Sequence, residues 1–436
     1  PELLKHITVK EFEKFRNRND PIVPPPPFNA GLNTAEDDQW KRIRGTLTPT
    51  LTGAKLKQMV PLLQESCDVL MRKFREAANL GTTMNVGPCF QQYVLEIVFK
   101  TAFGLDSSFQ THPNKDVVAK IGDLFATIFA PTKFSLICQS LPFFSSLRNI
   151  MVRAKILDYY QYFSAISSGI IAQRKKQGSD RKDLIQMMLT SVDKNGNQKL
   201  TDDEISAQAV QVLNAGLHTT STRFISCCFV LAHFPEVQVK LIEEIDHALQ
   251  ANPDKPLYEL VHDLDYLDCV LNEEIDHALQ ANPDKPLYEL GHDLDYLDCV
   301  LNEELRLCFS SSTAINRRCT EACTIDGVHF PKGAGVILCV YLLHVDPDAW
   351  PEPFKFDPER FRGPAKEQRH PYQFIPFGAG PRSCIGMRLA QLEVKITLVR
   401  LLREFRFVLA PETKGFDAFR KAPGDVEIKI IHRHHR

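Results

Sequence analysis

The run Phe377-Gly378-Ala379-Gly380-Pro381-Arg382-Ser383-Cys384-Ile385-Gly386 carries the strongest chemical signal in the chain. Cys384 falls where a helix is predicted to begin. Free backbone N–H groups and the positive dipole end favour a thiolate there. Gly380 and Gly386 let a backbone pass close to something flat and bulky. Arg382 brings a fixed positive charge suited to a carboxylate, and Phe377 brings an aromatic wall. A thiolate, a shaped turn, an aromatic ring and an anion-binding arginine are the parts needed to hold haem iron through a cysteine.

Other elements must position that loop. The longest predicted helix runs from Asp202 to about Phe234, opening on a capping box of Thr201 and Glu204 and stopping before Pro235. At 1.5 Å per residue it spans roughly 50 Å, enough to cross a whole domain. Within it lies Ala215-Gly216-Leu217-His218-Thr219-Thr220. A mid-helix glycine costs roughly 1 kcal/mol against alanine, so Gly216 implies a close neighbour. Ala215, Gly216 and Thr219 share a face, a smooth patch beside one hydroxyl; an ordinary small-residue helix contact is the plainer alternative. Trp40 and Arg44 stand at i and i+4 on one helix face. Glu303 and Arg306 do so at i and i+3, and Arg360 follows in Pro358-Glu359-Arg360-Phe361.

The motif F-x-x-G-x-R-x-C-x-G resembles the haem-ligand loop of the cytochrome P450 family, with Phe377, Gly380, Arg382, Cys384 and Gly386 at its five defining positions. The likeness extends over almost the whole chain and looks nearest to subfamily 3A and to thromboxane synthase. It implies a mainly α fold with a small β portion and Cys384 as axial ligand of haem b. Trp40 and Arg44 would reach one haem propionate and Arg317, or Arg318, the other, with Arg382 and Phe377 beside the cofactor. Ala215, Gly216 and Thr219 would cover the distal face, the threonine helping to deliver protons. His218 stands where the family has Asp or Glu; histidine can relay protons near neutrality. Glu303, Arg306 and Arg360 would form a buried structural triad, and Ser311 to Ile315 would line the substrate pocket. The proline usual shortly after this arginine is absent. Lys41 and Arg42 would either meet an acidic redox partner or form a solvated face.

The 436 residues are 44% hydrophobic and 24% charged, with a formal net charge of -2. This is ordinary globular composition, enough for a large core without staples, and it argues against nucleic acid as main partner. The 12 cysteines are irregularly spaced. Cys138, Cys227, Cys228 and Cys339 lie in apolar runs and read as small core residues. No run of 18 apolar residues marks a transmembrane helix. The opening PELLKHITVKEFEKF reads like the middle of a domain, so one P450 domain over 1–436, truncated at its N-terminus, is expected.

Helices are predicted at 3–16, from near Asp37, at 54–77, 91–103 and 386–405, with strand-like runs at Cys323–Ile325, Gly335–Tyr341, Arg406–Leu409 and Val426–Ile431. The Phe-rich stretch within 123–150 is either core or a loop dipping into a membrane surface. Residues 243–272 recur as 273–302 with one change, Val261 to Gly291, and only the second copy completes the Glu303–Arg306 motif. A recent duplication or an assembly artefact explains so close a copy better than a repeat fold. Asp193 to Glu204 imitates a calcium loop with its glycine misplaced. The His432, His434, His435 tail reads as exposed and inert.

The expectation is a microsomal monooxygenase on the cytosolic face of the endoplasmic reticulum. It would insert one oxygen atom from O2 into a lipophilic substrate, with electrons from NADPH-cytochrome P450 reductase and cytochrome b5 as a further partner. One alternative is an endoperoxide isomerase like thromboxane synthase, against which the hydroxyl of Thr219 argues. Another is a truncated product without function.

Overall fold

Helix dominates wherever apolar residues recur at three- and four-residue spacing. The computed structural model describes residues 1–19, 24, 26–129, 142–261, 294–308, 315–421 and 426–433. The expected helix over 3–16 is broken into α1 (Glu2–Lys5), a π-helical turn (His6–Lys10) and a 3-10 turn (Phe12–Phe15). The buried side chains are Leu4, Ile7, Thr8, Phe12 and Phe15.

Next come α2 (Asp37–Leu47), α3 (Gly53–Leu80), α4 (Val86–Val98) with a π-helical turn to Phe103, and α5 (Lys115–Phe129). Helix α6 (Pro142–Gln177) has 36 residues, so the expected longest helix, α8 (Asp202–His233), is second with 32. Pro142 opens α6, where its missing N–H does no harm. The Phe-rich stretch between them lies largely outside the described residues. The short α7 (Leu184–Leu189) precedes α8. After it come α9 (Pro235–Ala251), α10 (Leu257–Val261) and α11 (Asp295–Leu307). The chain then runs through α12 (Val340–His344), α13 (Gly363–Glu367), α14 (Met387–Glu404) and α15 (Phe416–Lys421). No single helix among the described residues is long and apolar enough to cross a membrane.

Three small antiparallel sheets complete the fold among the described residues. β7 (Glu427–His432) pairs with β1 (Thr83–Asn85) on one side and β6 (Phe405–Leu409) on the other. β2 (Ile315–Arg318) pairs with β5 (Gly335–Leu338), and β3 (Cys323–Ile325) with β4 (Val328–Phe330). The strand expected over Gly335–Tyr341 ends at Leu338, and α12 takes its last two residues.

Helix α8 is the axis of the core. Thr201 and Glu204 form the complete capping box. Phe224 stacks on Phe90 of α4 at 4.9 Å, and Tyr93 of α4 hydrogen-bonds Thr397 of α14 at 2.7 Å. Gln208 anchors the N-terminal segment to α8, donating to the Ala30 carbonyl and accepting from the Leu32 N–H.

The scaffold uses one composite copy of the duplicated segment. Residues of α9 and α10 come from the first copy, and α11 begins in the second. Glu244 joins them: its carboxylate accepts the N–H groups of Tyr296 (2.6 Å) and Leu297 (2.9 Å), capping α11. Residues 262–293, Gly291 among them, lie outside the described residues.

Candidate functional site

The cysteine loop is closed by its own backbone. The Cys384 N–H donates to the Phe377 carbonyl at 2.8 Å, and Ser383 N–H to Gly380 at 2.9 Å. Gly380 has φ +71, and a Cβ there would stand 2.0 Å from the Thr8 carbonyl oxygen. Its glycine is therefore demanded by conformation and by the N-terminal segment. Gly386 meets no protein atom within 4 Å of its Cβ direction. Beyond it α14 begins, and the N–H groups of Gly386 and Met387 point to the Cys384 sulfur.

Cys384 is exposed to a solvent probe, yet burial pushes its thiol pKa up. Both hold only if the sulfur lies deep in the fold and faces open interior space. Helix N–H groups and nearby cations lower the pKa, but burial wins. The protein alone thus holds a thiol, not the thiolate expected from the helix N-terminus; metal coordination would remove that proton.

Positive charge gathers beside this sulfur. Arg44, on α2, donates from Nη1 to the Ser383 carbonyl at 2.9 Å, and burial lowers its pKa. Arg18 lies close enough to act on both Arg44 and Cys384. Sequence reasoning missed it, because it sits in no motif. Its neighbour Asn17 bridges to Arg318, which brings it to β2. Arg317 is buried on β2 and donates to the Asn316 carbonyl at 2.8 Å. Ile315, at the start of that strand, lies against Gly378. Arg382 is stacked 4.2 Å from the Trp40 ring and donates to the carbonyls of Arg16, Leu32 and Ala35. Its visible work is to clip the cysteine loop to the N-terminal segment. Trp40 is buried between Arg382 and Phe12.

Ala215 is exposed and Thr219 half-buried in the middle of α8, which is otherwise packed among helices. That face carries Arg223 one turn further, its guanidinium 5.9 Å from the Phe377 ring. The α8 face and the cysteine loop therefore meet at Arg223 and Phe377. Thr219 Oγ1 donates to the Ala215 carbonyl at 2.6 Å, leaving its oxygen free to accept. His218 is pushed below its usual pKa by burial, so it is neutral at neutral pH. A Cβ on Gly216 would meet Val98 at 3.5 Å, an ordinary contact. The expected tight neighbour is absent among the described residues.

Glu303 and Arg306 are fully buried and joined by two hydrogen bonds of 2.6 and 2.7 Å. Arg306 also donates to the carbonyls of His344, Pro353 and Lys355. Arg360 Nε stands 3.6 Å from Glu303, whose carboxylate also accepts the Asp357 N–H at 2.9 Å.

Several expectations fail. Arg42 is not simply a solvated face; it holds Glu204 and the Lys199 carbonyl, tying α2 to the start of α8. Cys339, expected in the core, is exposed, because the strand ends before it, whereas Cys227 and Cys228 are buried. His432 is half-buried and bonds Asn79 at 2.8 Å. His434 and His435, and the pocket residues Ser311 to Ala314, lie outside the described residues. Asp193 spends its carboxylate on the N–H groups of Asn195 and Asn197.

A haem presents an iron in need of an axial ligand and two carboxylates in need of cations. Cys384 facing open space, with Arg18 and Arg44 beside it, fits both demands.

The model of the family described as Cytochrome P450 matches residues 1–273 and 270–426. The two matches meet inside the duplicated segment. Cytochrome P450 3A14 of Cavia porcellus is 33% identical over 447 aligned residues, covering 99% of this chain and 82% of that protein. Cytochrome P450 3A31 of Mesocricetus auratus is 34% identical, covering 95% of this chain and 76% of that protein. Cytochrome P450 3A41 of Mus musculus is 32% identical, with 95% and 77% covered.

Proposed function

We propose a function from one premise: the chain belongs to the cytochrome P450 family. It is accordingly a haem-iron monooxygenase, an oxidoreductase that works with a redox partner on a lipophilic substrate. Its cofactor is haem b, held through Cys384. Its electrons come from NADPH-cytochrome P450 reductase, assisted by cytochrome b5. Its substrate is a drug-, steroid- or fatty-acid-like molecule, met at the cytosolic face of the endoplasmic reticulum membrane.

The observation that carries this reading is Cys384, deep in the fold and open to an interior space beside Arg18 and Arg44. The haem, when bound, supplies the activation of O2. The protein supplies everything around it. Cys384 gives electron density from its sulfur, which the Gly386 and Met387 N–H groups hold in place. Arg44, Arg317 and Arg382, with Arg18, would neutralise the two carboxylates of the bound group, and Trp40 would help to orient one of them. Ala215 and Gly216 give the α8 face its low relief, and Phe377 walls the cysteine side. Thr219 keeps a lone pair available to a proton donor, because its own proton is spent on Ala215. Neutral His218 has one N–H and one acceptor nitrogen, the pair needed to pass a proton onward. Glu303, Arg306 and Arg360 keep the segment before the loop fixed and take no part in chemistry.

The test is the carbon monoxide difference spectrum of the reduced, haem-loaded chain. A strongly red-shifted Soret band, lost in Cys384→Ala, supports the reading. A band without thiolate character in the parent chain overturns it.

A further inference from the structure

Beside Glu303, α11 carries a second buried acid. Glu304 is completely enclosed and meets Arg223 of α8, which is only 3% exposed. Arg223 donates from Nε to Glu304 at 3.3 Å. The other carboxylate oxygen accepts from Ser226, one turn along α8, and the Cys227 thiol also reaches this carboxylate. Two charges taken out of water are costly unless well partnered, and here a carboxylate is bound to guanidinium, hydroxyl and thiol together. The pair lies outside the Glu303–Arg306–Arg360 cluster, and nothing in the proposed oxygen chemistry uses it.

Its position is what makes it informative. Ala215, Thr219 and Arg223 succeed one another at four-residue steps on one face of α8. The first two are accessible, and the third is buried against the cysteine loop. The guanidinium lies over the Phe377 ring at 5.9 Å, within cation–π range. The carbonyl of Phe377 in turn holds the Cys384 N–H at 2.8 Å. A line of contacts therefore runs from Glu304 through Arg223 and Phe377 to the cysteine, with the positive end of the pair toward the loop. Nη1 of Arg223 is buried and has no hydrogen-bond partner in the structure. The guanidinium's charge is thus not fully spent on Glu304.

We propose that Arg223 is a positioning residue for the haem-thiolate unit, oriented by Glu304, that fixes Phe377 against the cysteine loop and raises the reduction potential of the iron. The inference rests on the haem-thiolate reading above. The electrostatic part follows from sign. Reduction of ferric to ferrous haem adds one electron and makes or breaks no bond in the protein. A cation held in a low-dielectric interior favours the electron-rich state. Removing Arg223 lowers the potential, and removing the negative charge of Glu304 raises it.

The experiment is redox titration of the haem-loaded full chain, followed optically, in Arg223→Met, Glu304→Gln and the double variant Arg223→Met/Glu304→Leu. Arg223→Met shifts the midpoint to more negative values and Glu304→Gln to more positive ones. The double variant, free of buried charge, lies between and melts close to the parent chain. Should Arg223→Met not fold, the double variant must still lie below Glu304→Gln, because the two differ by the charge of Arg223. Equal midpoints in variants that keep the thiolate carbon monoxide band would reduce the pair to a structural tie and overturn the proposal. A parent chain without that band fails earlier, on the haem-thiolate reading itself, so the two failures look different.

Discussion

Arg44 donates to the carbonyl of Ser383, joining α2 to the cysteine loop across 339 residues of chain. The bond orients a guanidinium beside the sulfur rather than leaving it on the surface of α2. Removing it has two effects: the loop loses a tie, and the interior space loses a cation. A hydrogen bond to a charged group is worth about 1.5–3 kcal/mol. Arg44→Met is therefore expected to weaken haem uptake roughly ten- to a hundredfold. Titration of the haem-free chain with haem measures this. Uptake equal to the parent chain would show that Arg44 serves the loop's shape alone.

The Glu303–Arg306 pair sits in the interior with almost all its hydrogen-bonding capacity used. Removing one partner leaves a buried charge behind, which costs about 3–5 kcal/mol. Glu303→Ala should lower the melting temperature far more than Arg42→Ala. The latter breaks a pair whose arginine is 44% exposed, and Glu204 keeps its bonds from the Thr201 N–H and from Gln39. Calorimetry of the two variants side by side checks the ranking, and similar melting temperatures would refute it.

Glu393, on α14, is 5% exposed, and burial raises its carboxyl pKa to about 8. An unfolded chain releases that proton near 4.5. The folded chain then holds more protons than the unfolded one, so stability falls as pH rises from about 4.5 to about 8. By pH 7 the loss is roughly 3 kcal/mol. Glu393→Gln removes it while keeping the shape. The variant should gain in melting temperature over the parent chain at pH 8 and gain little at pH 5. Parallel melting curves at both values would show that the carboxyl is ionised without cost.

What the sequence made legible is what is local in it. Thr201 with Glu204, Glu303 with Arg306, and Trp40 with Arg44 are pairs three or four residues apart, and a helix brings such pairs together whatever surrounds it. The helical character of the chain and most of its strand-like runs follow from periodicity in the same way. Arg18 and the Arg223–Glu304 pair were invisible, because their partners are set by tertiary packing between distant segments. The bond from Arg42 to Glu204 was hidden for the same reason: a charged residue on an exposed face looks free until Glu204, far along the chain, is placed beside it. The burial of Cys384 was invisible too, because helix-end N–H groups can be read in sequence while desolvation cannot.

The duplicated segment yields the last prediction. The described scaffold enters through the first copy as far as Val261 and resumes at Leu294 of the second. The contacts that join these parts, from Glu244 to Tyr296 and Leu297, link one copy to the other. Residues 262–291 can therefore be deleted without touching any of them. The deletion joins Val261 to His292 and recreates an uninterrupted single copy, Val-His-Asp-Leu-Asp, in its original order. Closing a longer connection costs entropy, about 0.6 kcal/mol for each doubling of length. The shortened chain is expected to melt at or above the parent temperature and to keep its haem-carbon monoxide spectrum. A lower melting temperature or a lost spectrum would mean that the second passage through this sequence holds contacts the scaffold needs.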